Sequence, residues 1–414
     1  MKFYLEALGC RLNTAEIEIL ARELTGAGWA ATPPEAADVI VLNSCAVTAQ
    51  AARKTRHRLR ALQRANPAAR LAVIGCWATN APQTAASLPG VTWVIPNADK
   101  AQTAALLTGQ HPLPAAWSPG RWGHTRAFLG VQDGCNHTCT YCLTRILRGP
   151  ARSRPLADVV ADVLTLVSQG AQEIVLTGVS LGAYGCDLPN TPSLALLVKT
   201  LLHESDLPRL RLSSIEPWDV DETLLKLWES PRLCRQLHLP LQSGSDTVLR
   251  RMGRRSTTAE YAQRIALARE VSPEIAVTTD MIAGFPGETE AEFATTLDFV
   301  TALAFARLHV FPYSERTGTP AVHLPDPIPK AKRNARAVTL RNLGKELAAA
   351  YHQRFVGQVL PVLWEHRDTQ GRWRGRTDNY LAIAGESQAQ LYNCIIPTRM
   401  FAVEHELLLG EPLT

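Results

Sequence analysis

The chain has 414 residues, 46% of them hydrophobic and 20% charged, with a formal net charge of +5, which calls for two or three globular domains and does not demand a polyanionic partner. Nine cysteines are too few for a disulfide scaffold in a chain of this length, and no apolar stretch reaches the length of a membrane span. The opening MKFYLEALGC carries Glu6 inside its apolar run, which excludes a signal-peptide core, so the thiols are expected to be reduced and available to metals in a cytoplasm.

From the N-terminus the pattern alternates strand and helix. Lys2–Leu8 is strand-like, and Thr14–Ala27 has helical spacing with Asn13 as its N-cap. Val39–Leu42 and Leu71–Ile74 are short, continuous apolar strands, with a helical run from Thr48 to Ala65 between them. This spacing predicts βαβ units and a parallel, Rossmann-like sheet over residues 1–115. Each strand is followed by a cysteine: Cys10 in ALGC, Cys45 in LNSC and Cys76 in VIGC. Ligands bind outside the carboxyl ends of parallel strands. The three thiols are therefore expected to converge on one metal site that leaves a coordination position open. The helix after Cys45 carries Arg53, Lys54, Arg56, Arg58, Arg60 and Arg64; a solvated face and a phosphate-contacting face both fit it. His111–Arg121, HPLPAAWSPGR, lacks periodicity and is expected to be a linker.

Residues 121–349 contain six strand-like segments, Ala127–Gln132, Glu173–Leu176, Leu210–Ser214, Gln236–Leu241, Ile275–Ile282 and Arg307–Phe311. The helical runs among them include Leu156–Gln169, Leu194–Glu204, Thr258–Val271 and Ala291–Ala302. Six such repeats predict a partial parallel (β/α)6 barrel, with chemistry at the carboxyl ends of its strands. The first strand runs into QDGCNHTCTYCLTRILRGPARSR, where Cys135, Cys139 and Cys142 form C-x3-C-x2-C and Arg145, Arg148, Arg152 and Arg154 follow. Three thiolates fall short of the four ligands of a closed zinc site but suit an iron–sulfur cluster with one open iron; a zinc knuckle completed by His137 is the alternative. Cys186 and Cys234 have no cysteine at ligand spacing. Polar and glycine residues recur at later strand ends, among them Thr177-Gly178, Glu216 and Gln242.

Residues 350–414 break into short strands, Gln358–Glu365, Arg372–Arg376, Tyr380–Ala384, Cys394–Thr398 and Phe401–Leu409, which predicts a small β-barrel. Arg372, Arg374, Arg376 and Tyr380 offer cations to phosphates and an aromatic face to bases, with either Trp373 or Tyr380 serving the barrel core.

The cysteine array, with Tyr141 before its third cysteine, resembles the cluster motif of the radical S-adenosylmethionine (SAM) enzymes. LGCRLNTAE, VLNSCAVT and VIGCWA resemble the N-terminal domain of the methylthiotransferases within that group, as do HLPLQSGSD and HVFPYSERTGTPA farther on. VLWEHRDTQGRWRGRTDNYLAIAG resembles the RNA-binding TRAM barrel. The resemblance spans essentially the whole chain. It implies two [4Fe-4S] clusters, one on Cys135, Cys139 and Cys142 that cleaves SAM to a 5′-deoxyadenosyl radical, and one on Cys10, Cys45 and Cys76 that supplies sulfur. A second SAM donates the methyl group, and the resemblance places SAM at LTGVSLGAYG and GFPGETEAEF, with Thr177, Gly178, Glu216 and Gln242 as its contacts. The substrate it implies is adenosine 37 in a tRNA anticodon stem-loop, with an electron donor such as a flavodoxin or ferredoxin. LGCRLNTAE, RLSSIEP and the tail look most like the threonylcarbamoyl-adenosine branch, against isopentenyl-adenosine or a ribosomal-protein aspartate. One departure concerns CLTRI, where the family commonly has an apolar pair and a proline after the third cysteine. A zinc-containing RNA-binding protein is the non-enzymatic alternative.

Overall fold

The structure, a computed structural model, describes residues 1–121 and 123–413. The first module is a parallel sheet of β1 (Lys2–Ala7), β2 (Ala30–Ala31), β3 (Val39–Ser44), β4 (Arg70–Gly75) and β5 (Val91–Ile95), in the order β2-β1-β3-β4-β5. Every residue of β3 is buried, as expected for a central parallel strand with both faces covered. The helix Arg11–Gly26 starts earlier than expected. Cys10 is its N-cap, and Asn13 lies inside it. Asn13 is buried there, its amide donating to the carbonyls of Leu8 (2.7 Å) and Ser44 (3.3 Å). The side chain thus ties two strand ends together instead of capping the helix. Thr48 does cap the basic helix Ala49–Ala65, its side chain accepting from the Ala51 N–H.

The segment between modules is pinned to both sides. Arg22 and Ala115 exchange two hydrogen bonds, the Trp117 N–H donates to Gln169, and the Trp117 ring is buried in the central core.

In the central module β6 (Ala127–Gly130) enters a short ribbon of β7 (Gln132–Asp133) and β8 (Arg152–Ser153) that frames the cysteine loop. The remaining strands are β9 (Glu173–Thr177), β10 (Arg209–Leu212), β11 (Gln236–His238), β12 (Ala276–Ala283) and β13 (Arg307–Pro312). They form parallel sheets β10-β9-β6 and β11-β12-β13, joined by parallel bridges at Leu210–Leu233 and Ser214–His238. The result is the expected partial barrel of six parallel strands. Ile174, Leu176, Leu210, Leu212, Val277 and Met281 join the core under the outer helices. Strand alternation therefore turns Glu173, Arg211, Thr278 and Asp280 into the lumen. Two of the outer helices, Thr258–Val271 and Glu290–Leu303, begin with full capping boxes, Thr257 with Glu260 and Thr289 with Glu292.

The helix Lys330–Gln353 crosses the expected module boundary at residue 349, and its Tyr351 joins the core of the last module. That module is a closed barrel, β14 (Val359–Arg367), β15 (Trp373–Thr377), β16 (Ala382–Gly385), β17 (Ile395–Glu404) and β18 (Leu407–Pro412), in the order β14-β15-β16-β18-β17. The expected strand Phe401–Leu409 is in fact two strands, with a tight hairpin at His405, whose φ is +56°. No glycine or proline marks that turn in AVEHELL, so nothing local in the sequence separates the two strands.

Candidate active site: two thiol sets around one lumen

The first thiol set is built from the ends of β1, β3 and β4. Gly9, at φ +107°, brings the chain so close that a Cβ there would lie 2.8 Å from the Cys45 Cβ and 2.9 Å from its Sγ. Cys10 follows at the helix start, and Cys76 opens the helix Cys76–Asn80. Around them Asn13 Oδ1 accepts from the Cys10 thiol (3.5 Å) and Asn97 Nδ2 donates to Cys76 Sγ (3.5 Å). Burial pushes the Cys45 thiol up to about 11, and burial also raises Cys10 against the pull of Arg148. Such thiols ionise when a metal arrives to replace the proton. Replacing Gly9 by alanine is expected to cost ~1–3 kcal/mol through the left-handed backbone alone and to displace Cys45. Iron bound per chain after anaerobic reconstitution, compared with wild type, checks it.

The second set lies in the loop from β7 to β8. The backbone N–H of His137 points at Cys135 Sγ (3.4 Å) and that of Thr144 at Cys142 Sγ (3.3 Å). The Arg254 guanidinium is 3.8 Å from Cys139 Sγ. It also donates to Glu216 (2.6 Å) and the Pro240 carbonyl (2.5 Å), and stacks 4.6 Å from the Trp218 ring. Tyr141 is wedged edge-on against Phe285, and Thr140 is tied to Met252 and Ala321 by backbone bonds. Three thiols with amide and guanidinium donors aimed at sulfur fit a cluster whose sulfur carries negative charge. His137, the alternative zinc ligand, instead has its Nε2 3.2 Å from Ser180 Oγ and its ring against Trp218. Among the described residues no group of three His, Cys, Asp or Glu closes around a single ion.

The expected SAM contacts lie around the same rim. Glu216 touches the cysteine loop through Arg254. Thr177 is buried at the end of β9, its carbonyl accepting from Val131 (2.9 Å). At Gly178 a Cβ would meet Gln132 Oε1 at 2.9 Å, while Gln132 itself bonds Ser180 and the Gly134 carbonyl of the cysteine loop. Gln242 sits at φ +77° and joins β12 through Asp280 and Ile282. Arg254, Gln132 and Asn97 are not anticipated from the sequence: isolated polar residues carry no periodic signal, and only the folded chain brings them to sulfur or to the loop.

The arginines after Cys142 divide. Arg152 and Arg154 are partly exposed and pair with Asp133 (3.9 Å) and Asp162 (2.8 Å). Arg148 is buried and donates to Asn13 (2.7 Å), Asp133 (2.8 Å) and Glu16 (3.1 Å). It joins the cysteine loop of one module to the helix after Cys10 in the other, so it is held inside the protein and not presented to a substrate or to SAM. Between the modules lies a cleft of about 710 Å³ lined by Gly9, Cys45, Arg53, Lys54, Phe311 and Arg333, among others.

In the small barrel Trp373 belongs to the core, with Arg367 stacked on it at 4.6 Å. Arg372 pairs with Glu404 (3.2 Å) and Arg374 with Asp368 (2.7 Å). Tyr380 does not offer an open face to a base. It faces the bottom of the lumen, ringed by Arg211 (4.6 Å), Arg376 (4.8 Å), Arg11 (5.3 Å) and Arg126 (5.6 Å).

Residues 129–300 match the radical SAM superfamily, and residues 2–95 match an uncharacterised protein family, UPF0004. The fold is shared with the radical SAM methyltransferase TsrM from Kitasatospora setae, at TM-score 0.57 and 15% identity over 77% of this chain and 76% of that one. The chain is thus a radical SAM enzyme, a class that implies SAM and a [4Fe-4S] cluster. Its similarity to curated relatives is specific. It is 36% identical to the threonylcarbamoyladenosine tRNA methylthiotransferase MtaB of Thermotoga maritima, over 91% of this chain and 89% of that one. The MtaB of Bacillus subtilis is 34% identical over 98% and 94%. The tRNA-2-methylthio-N(6)-dimethylallyladenosine synthase of Chloroflexus aurantiacus is 36% identical over 99% and 91%. The chain belongs to the radical SAM methylthiotransferase family.

Proposed function

We propose that the protein methylthiolates C2 of N6-threonylcarbamoyladenosine at position 37 of tRNA, using two SAM and two [4Fe-4S] clusters. The observation that carries this reading is the pair of three-thiol sets on separate modules, bridged by Arg148. Cys135, Cys139 and Cys142 would hold the cluster that binds SAM, and Cys10, Cys45 and Cys76 the second. When bound, these groups supply the radical, sulfur and methyl chemistry, which belongs to the cofactors.

The chain's own residues bind, orient and exclude water. Arg254 and the N–H groups of His137 and Thr144 stabilise charge on sulfur. Glu216, Thr177, Gly178 and Gln242 form the SAM rim. Exposed Arg53 and Lys54 line the cleft, Arg56, Arg60 and Arg64 are exposed farther along the same helix, and Arg372 and Arg374 lie on the small barrel; both sets suit phosphate contacts made on binding. Methylthiolation of dimethylallyladenosine 37 is the second reading, favoured by the equal similarity to the Chloroflexus synthase.

Anaerobic reconstitution is expected to give about eight irons per chain, falling to about four when Cys10, Cys45 and Cys76 are replaced by alanine. That variant should still form 5′-deoxyadenosine but no methylthio product. Nucleoside mass spectrometry of tRNA from a deletion strain decides the substrate: unchanged 2-methylthio-threonylcarbamoyladenosine rules the reading out.

A further inference from the structure

Arg11 follows directly on Cys10 and reaches away from the first thiol set into the lumen. Its guanidinium meets Tyr380 from the small barrel, and its charge is felt by Arg126 just before β6, Arg211 on β10 and His309 on β13. The neighbouring guanidiniums are each matched. Arg211 holds Glu173 (2.6 Å), Arg126 holds Glu365 (2.9 Å), Arg254 holds Glu216 (2.6 Å) and Arg148 holds Asp133 (2.8 Å). No described carboxylate pairs with Arg11. Four guanidiniums, Arg11, Arg126, Arg211 and Arg376, surround Tyr380, whereas among the described residues Glu173 and Glu365 are the only carboxylates within 4 Å of any of them. Burial would raise the Tyr380 phenol, yet these cations pull it down to about 7. The bottom of the lumen therefore has an excess of positive charge over the described carboxylates.

The other wall of the lumen is different in kind. Asp280 lies 3.5 Å from both His238 and His309, and His238 Nδ1 is 2.8 Å from Thr278 Oγ1. The His309 side chain is 43% exposed and Asp280 30%, so this wall is open to a ligand. The lumen thus presents one cation without a carboxylate partner, carried by the residue after Cys10, and a set of hydrogen-bond acceptors around Asp280.

We infer that Arg11 is the specificity-determining residue for the N6 substituent of the target adenosine, its guanidinium taking the carboxylate of the threonylcarbamoyl group within the lumen. The inference rests on the substrate reading above and names the residue that enforces it. On adenine, C2 and C6 flank N1 and C6 carries N6, so the group that grips the end of the N6 substituent must lie within about a side chain's length of the sulfur that meets C2; Arg11, one residue from Cys10 with its guanidinium turned into the lumen, meets that requirement. A dimethylallyl substituent has no charge to offer, and bringing it here would leave the guanidinium desolvated with Tyr380 and no carboxylate as its partner. Arg11 thus selects for one substituent and against the other.

Equilibrium binding tests it, by fluorescence anisotropy under anaerobic conditions with iron-loaded protein. The probes are anticodon stem-loops carrying at position 37 threonylcarbamoyladenosine, its carboxylate methyl ester, dimethylallyladenosine or plain adenosine. Wild type should lose roughly 10- to 100-fold in affinity on esterification. Arg11→Gln should lose as much for the free carboxylate and nothing further for the ester, and Arg11→Lys should fall between. Iron content of the variants reports whether the thiol set is intact. Equal weakening of all four stem-loops by Arg11→Gln would mean a phosphate contact or a structural role and would overturn the inference. So would an Arg11→Gln variant that still tells carboxylate from ester as wild type does. If wild type methylthiolates only the dimethylallyl stem-loop, the substrate reading fails and the inference with it. If it methylthiolates the threonylcarbamoyl stem-loop while Arg11→Gln binds that probe normally, the inference alone fails.

Discussion

Replacing Arg211 by methionine is expected to destabilise the central barrel by about 3–5 kcal/mol, the cost of stranding one member of a buried ion pair. Arg211 and Glu173 have fully buried side chains 2.6 Å apart on the adjacent strands β10 and β9. Arg211 also donates to the carbonyls of Asp378 (2.8 Å) and Thr377 (3.1 Å) in the small barrel, so the same side chain docks one module on the other. Burial alone would raise the Glu173 carboxyl, but Arg211, Arg126 and Arg209 hold it at about 2. A depressed carboxylate contributes stability above its unfolded value near 4.5 and loses it as pH falls through the folded value. Wild type should therefore lose about 3 kcal/mol from this group between those limits. In Arg211→Met the remaining Glu173 is held less firmly, so the gap between the two proteins should narrow over the same range. Adding Glu173→Gln to the variant removes the stranded charge and should recover part of the loss. Urea unfolding followed by circular dichroism across pH measures all three; a difference below about 1 kcal/mol at pH 7 would mean the pair is not what holds β9 and β10 at the barrel floor.

The contrast between this pair and the strands that carry it marks what the sequence makes legible. Period-two and unbroken apolar runs locate all six barrel strands and the three cysteine-bearing strands, because burial against two layers dictates such patterns locally. The edge strand Val91–Ile95 escapes, being only partly buried and followed by no cysteine. Arg211 sits in RLRL, which reads as an alternating strand with a wet face, yet that face lines a closed floor. Its partner is 38 residues away, and nothing local announces the pairing. Tyr380 shows the same limit from the other side. Its arginine-rich surroundings in the sequence suggest a surface for bases, but four cations around one ring come from four separate segments. The thiol sets are visible because burial alone does not put a cysteine just past each of three successive strands. The guanidiniums that serve them are not, since arginine is common everywhere on a protein surface.

Arg148→Ala is expected to lower stability by about 3–5 kcal/mol and to weaken iron binding at the first thiol set. The side chain is 2% exposed and joins Asp133 in the cysteine loop to Glu16 and Asn13 on the helix after Cys10. Glu16 keeps Lys100 (2.6 Å) and the Asn43 amide (2.8 Å) when Arg148 is lost, so the heavier consequence falls on Asn13. That residue bonds Cys10 and the carbonyls of Leu8 and Ser44, and thus holds the ends of β1 and β3 in register with the thiol. Losing the fork from Arg148 frees Asn13 to turn, and the positions of Cys10 and Cys45 loosen with it. Arg148→Lys keeps the charge but cannot serve three acceptors in one plane, so it should recover less than half of the loss. Iron per chain should fall below the wild-type content in Arg148→Ala while 5′-deoxyadenosine formation declines less, because the second set keeps its own donors on Arg254, His137 and Thr144. A double-mutant cycle with Glu16→Gln should return a coupling of about 0.5–3 kcal/mol. A coupling near zero with unchanged iron would show that the two modules are held together elsewhere.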